Sequence, residues 1–546
     1  MVTFFRYWHT LRYLRPVQFY GRLWFRFYRP KPDLRIAPAL RPIVGSWVLP
    51  AQRRTSMVGA RTFCFLNETH DFDGVGWESH ELAKLWLYNL HYFDDLNASS
   101  APMRRDWHFQ LLRSWVSENL SGKGTGWEPY PTSLRIVNWV KWVLASNELP
   151  PECLQSLAVQ ARWLAKRLEF HLLGNHLFVN AKALVFAGLF FNGSEADGWL
   201  KKGLRILERE VREQVLPDGG HFERSTMYHA LALEDILDLI NAAEAWPRRI
   251  CSDVVNGWRE VAGRMVEWMQ GLLHPDGGIA FFNDAAFGIA PEPSLLLAYA
   301  DQLGIRSSFI VHPAALSMKH LPESGYIRLA SPDAVALLDV APVGPDYLPG
   351  HAHSDTLSFE LSLFGQRVIV NGGTSCYGAG PARLRERQTC SHSTVEVAGE
   401  SSSEVWSSFR VARRAFPFDL QVDQEIGFLK VVCSHDGYTR LSGKPVHRRS
   451  WVFSEQSLLV KDKVGGGSYT SVARFIVHPS ISIVVEAENF WLLTVPGGRC
   501  VRVVVRGGSA TIEPAWYAPE FGKILPTQSF AVVLAGGYAE TEFIWS

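Results

Sequence analysis

Four short stretches of this 546-residue chain gather side chains that carry charge or move protons. In Gly174-Asn175-His176-Leu177 an Asn-His pair opens an apolar run, read either as a helix-capping Asn beside a surface His or as a pair of working groups. The second stretch, Phe222-Glu223-Arg224-Ser225-Thr226-Met227-Tyr228-His229, sets a phenol next to an imidazole at a helix start. Both groups can transfer protons, although an isolated Tyr-His pair is a weak signal. The third is Gly350-His351-Ala352-His353-Ser354-Asp355, leading into a strand. Two His at i and i+2 on extended chain share a face, so both could ligate a metal, or one could while the other works nearby. The fourth, Arg387-Gln388-Thr389-Cys390-Ser391-His392-Ser393-Thr394, places a His at a strand entrance, where Asn371 and His353 from consecutive strands could complete a compact cluster.

Two kinds of periodicity must position these groups. From about 80 to 305 apolar residues recur at three-to-four spacing, which predicts helices over 107–120, 133–145, 153–173, 177–191, 199–215, 228–243, 254–273 and 294–303. The short Gly/Pro/Asp breaks between them suit antiparallel helical hairpins. One break occurs twice, as Pro217-Asp218-Gly219-Gly220 and Pro275-Asp276-Gly277-Gly278, the echo expected of helix pairs wound into a ring or solenoid. Beyond about 320 the period becomes two. In 356–370 Leu357, Phe359, Leu361 and Leu363 alternate with Ser358, Glu360 and Ser362, a half-buried strand. Further strands are predicted over 334–340, 393–397, 428–433, 450–460, 472–478, 481–486, 490–495, 500–505 and 530–534, a series that points to stacked antiparallel sheets. The chain therefore divides into a lead-in (1–79), a helical domain (80–315) and a sheet domain (316–546). The junction should fall between about 305 and 325, and a cleft between unlike domains is the expected place for a site.

Composition bounds the partners. With 55 basic and 54 acidic residues the net charge is +1, which argues against nucleic-acid binding through bulk charge. Seven scattered cysteines without a C-x-x-C pair fit neither a disulfide framework nor a thiolate zinc site. Aromatics are abundant, with 20 Trp, 32 Phe and 16 Tyr, and serve as core filling, as sticky surface or as stacking platforms for sugar rings. Across residues 4–28 arginines interleave with Phe, Tyr and Trp, and the first acidic residue is Asp33. Such an arm either packs on its own domain or lies on an anionic membrane surface as a peripheral contact. No secretory signal is legible and no run is long enough to span a bilayer. The expected location is the cytoplasm or the inner-membrane periphery, with the periplasm reached only by a non-standard route. The sequence sets no oligomeric state.

Taken in order, the Asn-His helix opening, D-G-x-x-x-E-x-S-x-x-Y-H, H-A-H-x-D and R-x-x-x-S-H-S-T-V resemble the heparinase II/III-like and alginate-lyase superfamily of polysaccharide lyases, including members from bacterial surface-polysaccharide clusters. Trp127-Glu128-Pro129-Tyr130-Pro131, Leu134-Arg135, Asn138-Trp139 and Glu404-Val405-Trp406 with Phe409-Arg410-Val411 add to the resemblance, which covers about 80–480. It implies a multidomain α+β fold, an (α/α) toroid of helical hairpins followed by an antiparallel β-sandwich. It further implies β-elimination on a uronic-acid polymer, linked to bacterial surface or exopolysaccharide metabolism. The proton on C5 is removed, the C4 oxygen leaves, and the neighbouring carboxylate must be neutralised. By the same resemblance Asn175 and His176 hold the carboxylate, Tyr228 shuttles protons as acid and also as base, and His351 is the other acid/base group. Arg135, Trp127, Tyr130, Trp139, His229 and Arg387 are candidate substrate contacts, the aromatics alternatively being core. Metal-containing members imply a structural zinc, here at His353, Asn371 and His392. Asn371 stands where a carboxylate is expected, so zinc binds weakly, Asp355 or Glu360 substitutes, or the cluster is a metal-free network. Two other readings remain: a toroid glycoside hydrolase recruiting Glu223, Asp284 or Glu128, and a non-catalytic glycan-binding or assembly protein of a polysaccharide system.

Overall fold

The computed structural model describes residues 2–307, 309 and 314–546. Residues 308 and 310–313, inside the predicted junction, lie outside the described residues. Two helices, Val2–Leu11 and Pro16–Phe27, open the chain and are followed by extended backbone and a small sheet of Met57–Gly59, Thr62–Phe65 and Glu68–Asp71. The helical domain then runs through Lys84–Tyr92, Arg105–Glu118, Pro129–Leu144, Pro151–Lys166, Gly174–Phe190, Ser194–Gln214, Thr226–Ala245, Ser252–Gly271 and Pro293–Gln302. Proline in the first turn starts three of these, at Pro129, Pro151 and Pro293, where its missing N–H costs nothing. The helix predicted over 153–173 ends instead at Lys166, and 167–173 crosses back to Leu173, whose positive φ of 64° turns the chain into the next helix.

The repeated Pro-Asp-Gly-Gly break is one turn built twice. Gly219 and Gly277 both adopt positive φ, Asp218 and Asp276 each accept the N–H two residues on (3.0 and 2.8 Å), and bridges Val215↔His221 and Leu273↔Ile279 close the two loops. Each turn then sends an extended segment inward, one bearing Glu223 and the other Asp284.

Three helices are tied together inside the toroid by buried ions. Lys141 and Lys182 meet Asp238 at 3.0 and 2.7 Å, and Lys182 also meets Asp235 at 2.7 Å. Buried ions of this kind fix relative position more than they add stability.

The sheet domain is a sandwich. One sheet runs, in spatial order, Gly508–Glu520, Lys523–Leu534, Ser471–Val477, Gln366–Val370, Phe359–Leu363, Ala334–Asp339, Tyr326–Ala330 and Ser317–Leu321, with Val395–Val397 also paired to Ser471–Val477. The other runs Pro417–Glu425, Phe428–His435, Val446–Phe453, Ser457–Gly465, Tyr538–Trp545, Cys500–Arg506, Phe490–Thr494 and Ser482–Ala487. The strand predicted over 356–370 is a hairpin turning at Phe364 and Gly365, both at positive φ. Nor is it half-buried. Its polar face meets the toroid, where His274 hydrogen-bonds Ser362 Oγ and Glu360 Oε2 at 2.7 Å each, while Leu361 and Leu363 enter the sandwich core. Trp268, Leu272 and Phe282 pack on Leu321, Tyr326 and Leu337 in the same interface.

Candidate active site

The three helices joined by buried ions all begin at one place. Tyr130 lies in the first turn of Pro129–Leu144, Asn175 and His176 in that of Gly174–Phe190, and Tyr228 in that of Thr226–Ala245. Three N-terminal ends therefore direct backbone N–H groups and positive dipole ends to a common region, a local attraction for an anion on a chain of almost no net charge. The join at Gly174 requires glycine, because φ is +53° and a Cβ would lie 2.3 Å from Leu348 Cδ2 and 3.5 Å from Glu223 Oε1. Ser225 caps the third helix by accepting the Tyr228 N–H at 3.1 Å, and its hydroxyl donates to the Asp284 carbonyl.

Asp284 is the hub. Fully buried, it receives both terminal nitrogens of Arg383, His351 Nδ1–H at 2.8 Å and His353 Nε2–H at 2.8 Å. Burial alone would favour the neutral acid, but the Arg383 guanidinium and the two imidazoles outweigh it and hold the carboxyl well below the usual range. A permanent carboxylate fixes the tautomer of His351, with Nδ1 carrying the proton and Nε2 the lone pair. That Nε2 lies 3.6 Å from Glu223 Oε2, and the His351 side chain is 15 % exposed. The Tyr228 ring sits on His351 with centroids 3.9 Å apart, and its hydroxyl meets that of Tyr377 at 3.1 Å. Burial, with Tyr377 adding, pushes the Tyr228 phenol well above its ordinary value, so it is held protonated.

The His176 ring lies 4.6 Å from that of Tyr130, tilted by 48°, and 3.2 Å from Glu169. Burial disfavours its cation, but the Glu169 carboxylate prevails and raises its pKa. Among the described residues the half-buried Asn175 amide makes no hydrogen bond, leaving it for a ligand. Glu223 is buried, neither carboxyl oxygen is hydrogen-bonded among the described residues, and burial raises its pKa despite the pull of His351 and His176. A buried carboxyl without partners is costly, and the groups that would satisfy it must come from whatever fills the site.

The structure thus places Tyr130 against His176, next to Asn175, and Tyr228 against His351. Five other expected substrate contacts are engaged elsewhere. Trp127 and Trp139 are core, the first against Trp115 and Trp163, the second against Phe93 and Trp115. Arg135 is fully buried on the Trp115 ring and donates to Gln160 and to the carbonyls of His91 and Gly126. His229 turns away to bond the Met265 carbonyl (2.9 Å) and stack on Trp268. Arg387 is fully buried and clamps the Ala352 carbonyl at 3.0 and 2.8 Å, so it positions the His351–His353 segment from behind. Sequence reading passed over Tyr377 and Arg383. Arg383 lies one helical turn before Arg387 on Pro381–Arg387, and that spacing was the available signal.

The resemblance-implied zinc set does not fit. His353 Nδ1 and His392 Nε2 do meet, 3.2 Å apart. Asn371, however, already uses its amide oxygen to accept the Ser393 N–H (3.0 Å) and its nitrogen to reach Ser358 Oγ (3.4 Å). Asp355 is engaged by the Asn283 N–H and Glu360 by His274, Phe281 and Asn371, so neither substitutes. Among the described residues no three His, Cys, Asp or Glu side chains converge as a metal site. With His353 donating to Asp284, its Nδ1 accepts from His392 Nε2–H, which makes the cluster a hydrogen-bonded relay. Burial lowers His353 to about 4, keeping it neutral.

Of the three loop acids open to a hydrolytic reading, two are engaged among the described residues. Asp284 is enclosed by its own partners, and Glu128 is bound to Lys84 and Tyr88.

Fold and site together define a toroid–sandwich protein whose domain interface carries an imidazole–phenol pair beside anion-attracting helix ends. Sequence comparison gives this class a family. The heparinase II/III N-terminus model matches residues 84–291 and the heparinase II/III-like C-terminal model matches 313–546. The chain belongs to the heparinase II/III-like family. It is 25% identical over 396 residues to a heparin-sulfate lyase of Bacteroides stercoris, covering 67% of this chain and 56% of that protein. It is 24% identical over 383 residues to the FtsZ-localized protein C of Caulobacter vibrioides, covering 68% and 63%. The aligned part is thus under two thirds of either relative's length. The crystal structure of heparinase III superposes with a TM-score of 0.72 at 18% identity, over 97% of this chain and 89% of that one.

Proposed function

We propose that the protein is a polysaccharide lyase that cleaves a uronate-containing anionic glycan by β-elimination. The observation that carries this is the His351–Tyr228 pair, in ring contact at 3.9 Å with a 32° tilt and with the imidazole tautomer set by Asp284. The uronate carboxylate is received by Asn175 and by His176, whose cation Glu169 favours, beside Glu223, whose neutral acid burial favours, so that negative charge developing next to C5 is matched. His351 Nε2 takes the C5 proton as the C4–O bond breaks. The Tyr228 phenol gives its proton to the departing O4, and a C4–C5 double bond remains. The imidazolium of His351, 15 % exposed, then gives its proton to water and the Tyr228 phenolate takes one from water, which resets the site. Tyr130, half-buried beside His176, is the aromatic wall for a sugar ring.

A panel of uronate polymers tests this. Accumulation of product with the ultraviolet absorbance of an unsaturated uronate supports elimination. New reducing ends without that absorbance mean hydrolysis, and binding with neither means a glycan-binding role.

A further inference from the structure

We propose that the two N-terminal helices dock the protein on the surface of an anionic phospholipid bilayer. Each helix has one face committed to the fold. Tyr7 packs edge-on against Trp406 (5.0 Å), and Thr10 accepts a hydrogen bond from the Trp406 indole. Gln18 donates to the Tyr347 carbonyl at 3.1 Å, and Phe25 lies against His171 (4.2 Å) beneath the Arg167 guanidinium. The other faces are largely open to solvent. Phe4, Trp8 and Leu11 follow i, i+4, i+7 on the first helix, and Tyr20, Leu23, Trp24 and Phe27 follow i, i+3, i+4, i+7 on the second, all between 41% and 76% exposed. Apolar side chains in such a contiguous stripe mark an interaction surface.

Charge says what the surface meets. Arg6, Arg12, Arg15, Arg22, Arg26, Arg29 and Lys31 precede the first acidic residue, Asp33. Among the described residues only Arg15 of these forms an ion pair, with Glu213. A second copy of this face would bring like charges together, whereas an anionic lipid surface neutralises them. Trp and Tyr mixed with Arg on an amphipathic helix suit the headgroup boundary, where ring bodies sink and polar edges stay wet. Between the second helix and the toroid lies a groove of about 1240 Å³, walled by Trp24, Phe27 and Phe170 and rimmed by Lys166, Lys202 and Arg209. With Arg209 paired to Glu210 and Arg15 to Glu213, the apolar wall matches an acyl chain and Lys166 and Lys202 are left to meet its phosphate. No helix among the described residues is long and apolar enough to cross a membrane, so the contact lies in the interface plane.

Docking also places the candidate site. The segment that receives one helix at Tyr347 leads to His351, and the one that receives the other at Trp406 leads to Phe409, whose ring is 6.0 Å from that of His351. The bilayer would then lie beside the candidate active site, where polymer held at a membrane surface is within reach.

Flotation of the full chain with vesicles tests this independently of any lyase activity. Phosphatidylglycerol–phosphatidylcholine vesicles should carry the protein up, pure phosphatidylcholine vesicles should carry much less, and added salt should release it. Each basic residue near an anionic surface contributes about 1 kcal/mol, about a fivefold change in partitioning, so Arg22→Glu with Arg26→Glu should weaken binding at least about 25-fold. Leu23→Glu with Trp24→Glu should abolish it with an unchanged circular dichroism spectrum, since both side chains are exposed. Failure to float with anionic vesicles would overturn the proposal. So would variants that bind like the wild type, or a wild-type dimer that ignores vesicles and becomes monomeric in the Leu23/Trp24 variant.

Discussion

Replacing Asp284 by Asn removes one negative charge and changes almost nothing in volume, at the residue where the site's electrostatics converge. The carboxylate accepts from His351 Nδ1, His353 Nε2 and both terminal nitrogens of Arg383. An amide offers one acceptor oxygen, and its NH2 group must face a donor. The His351 ring then relieves the clash by carrying its proton on Nε2, the atom that should hold the lone pair. Losing the reactive tautomer in a comparable aspartate–histidine pair lowers turnover about 10³–10⁴-fold, or about 4–5.5 kcal/mol in barrier. Arg383, fully buried, also loses its counter-charge, which costs about 3–5 kcal/mol of stability. The assay is kcat/KM for unsaturated-product formation, measured below the melting transition on protein whose folded fraction is fixed by denaturant titration. A folded Asp284→Asn protein within about tenfold of wild type would refute the tautomer argument.

Three further outcomes follow from the same geometry. Glu223 has its folded-state pKa raised above the ordinary 4.5, so its contribution to stability is full below that value and is lost as pH rises through the folded value. Glu223→Gln should therefore flatten the decline in unfolding free energy from mildly acidic to neutral pH, and an unaltered slope would show that the buried carboxyl is not what titrates. Prolonged chelation should leave both melting temperature and product formation unchanged, because the cluster of His353, Asn371 and His392 is held by hydrogen bonds; a loss restored by zinc would contradict this. Trp139→Ala should cost about 3–5 kcal/mol of stability with KM unchanged, since the ring is core, and a raised KM at intact stability would return it to the substrate.

Much of the fold was legible because it rests on periodicity. The switch from a 3.6 to a 2.0 period separates toroid from sandwich, and the repeated Pro-Asp-Gly-Gly break is a repeated turn in space. What stayed hidden were contacts between distant segments. Ser358, Glu360 and Ser362 read as a solvent face because no local pattern reports that His274 and the toroid cover them. Aromatic type likewise does not tell which way a helix face points. Trp127 and Trp139 are core, whereas Tyr130, in the same stretch, reaches the site. Candidates that open helices, such as Asn175, His176 and Tyr228, and the H-x-H pair His351 and His353, which lies in the loop before Phe359–Leu363, were legible because their motifs are local. Arg383 and Tyr377 were missed because their roles exist only through Asp284 and Tyr228. Glu223 and Asp284 are loop acids in sequence, compatible with hydrolysis, yet burial favours the neutral acid at the one while Arg383 and two imidazoles keep the other ionised to hold a tautomer.

The account rests on His351 and Tyr228 as the proton-transfer pair, and the most direct test is the rate of unsaturated uronate release by wild type, Tyr228→Phe and His351→Ala on a polymer that the wild type cleaves. Removing the phenol hydroxyl should end proton delivery to O4, and removing the imidazole should end abstraction at C5, so both variants should fold and neither should release product. Full-rate release by both would contradict the account.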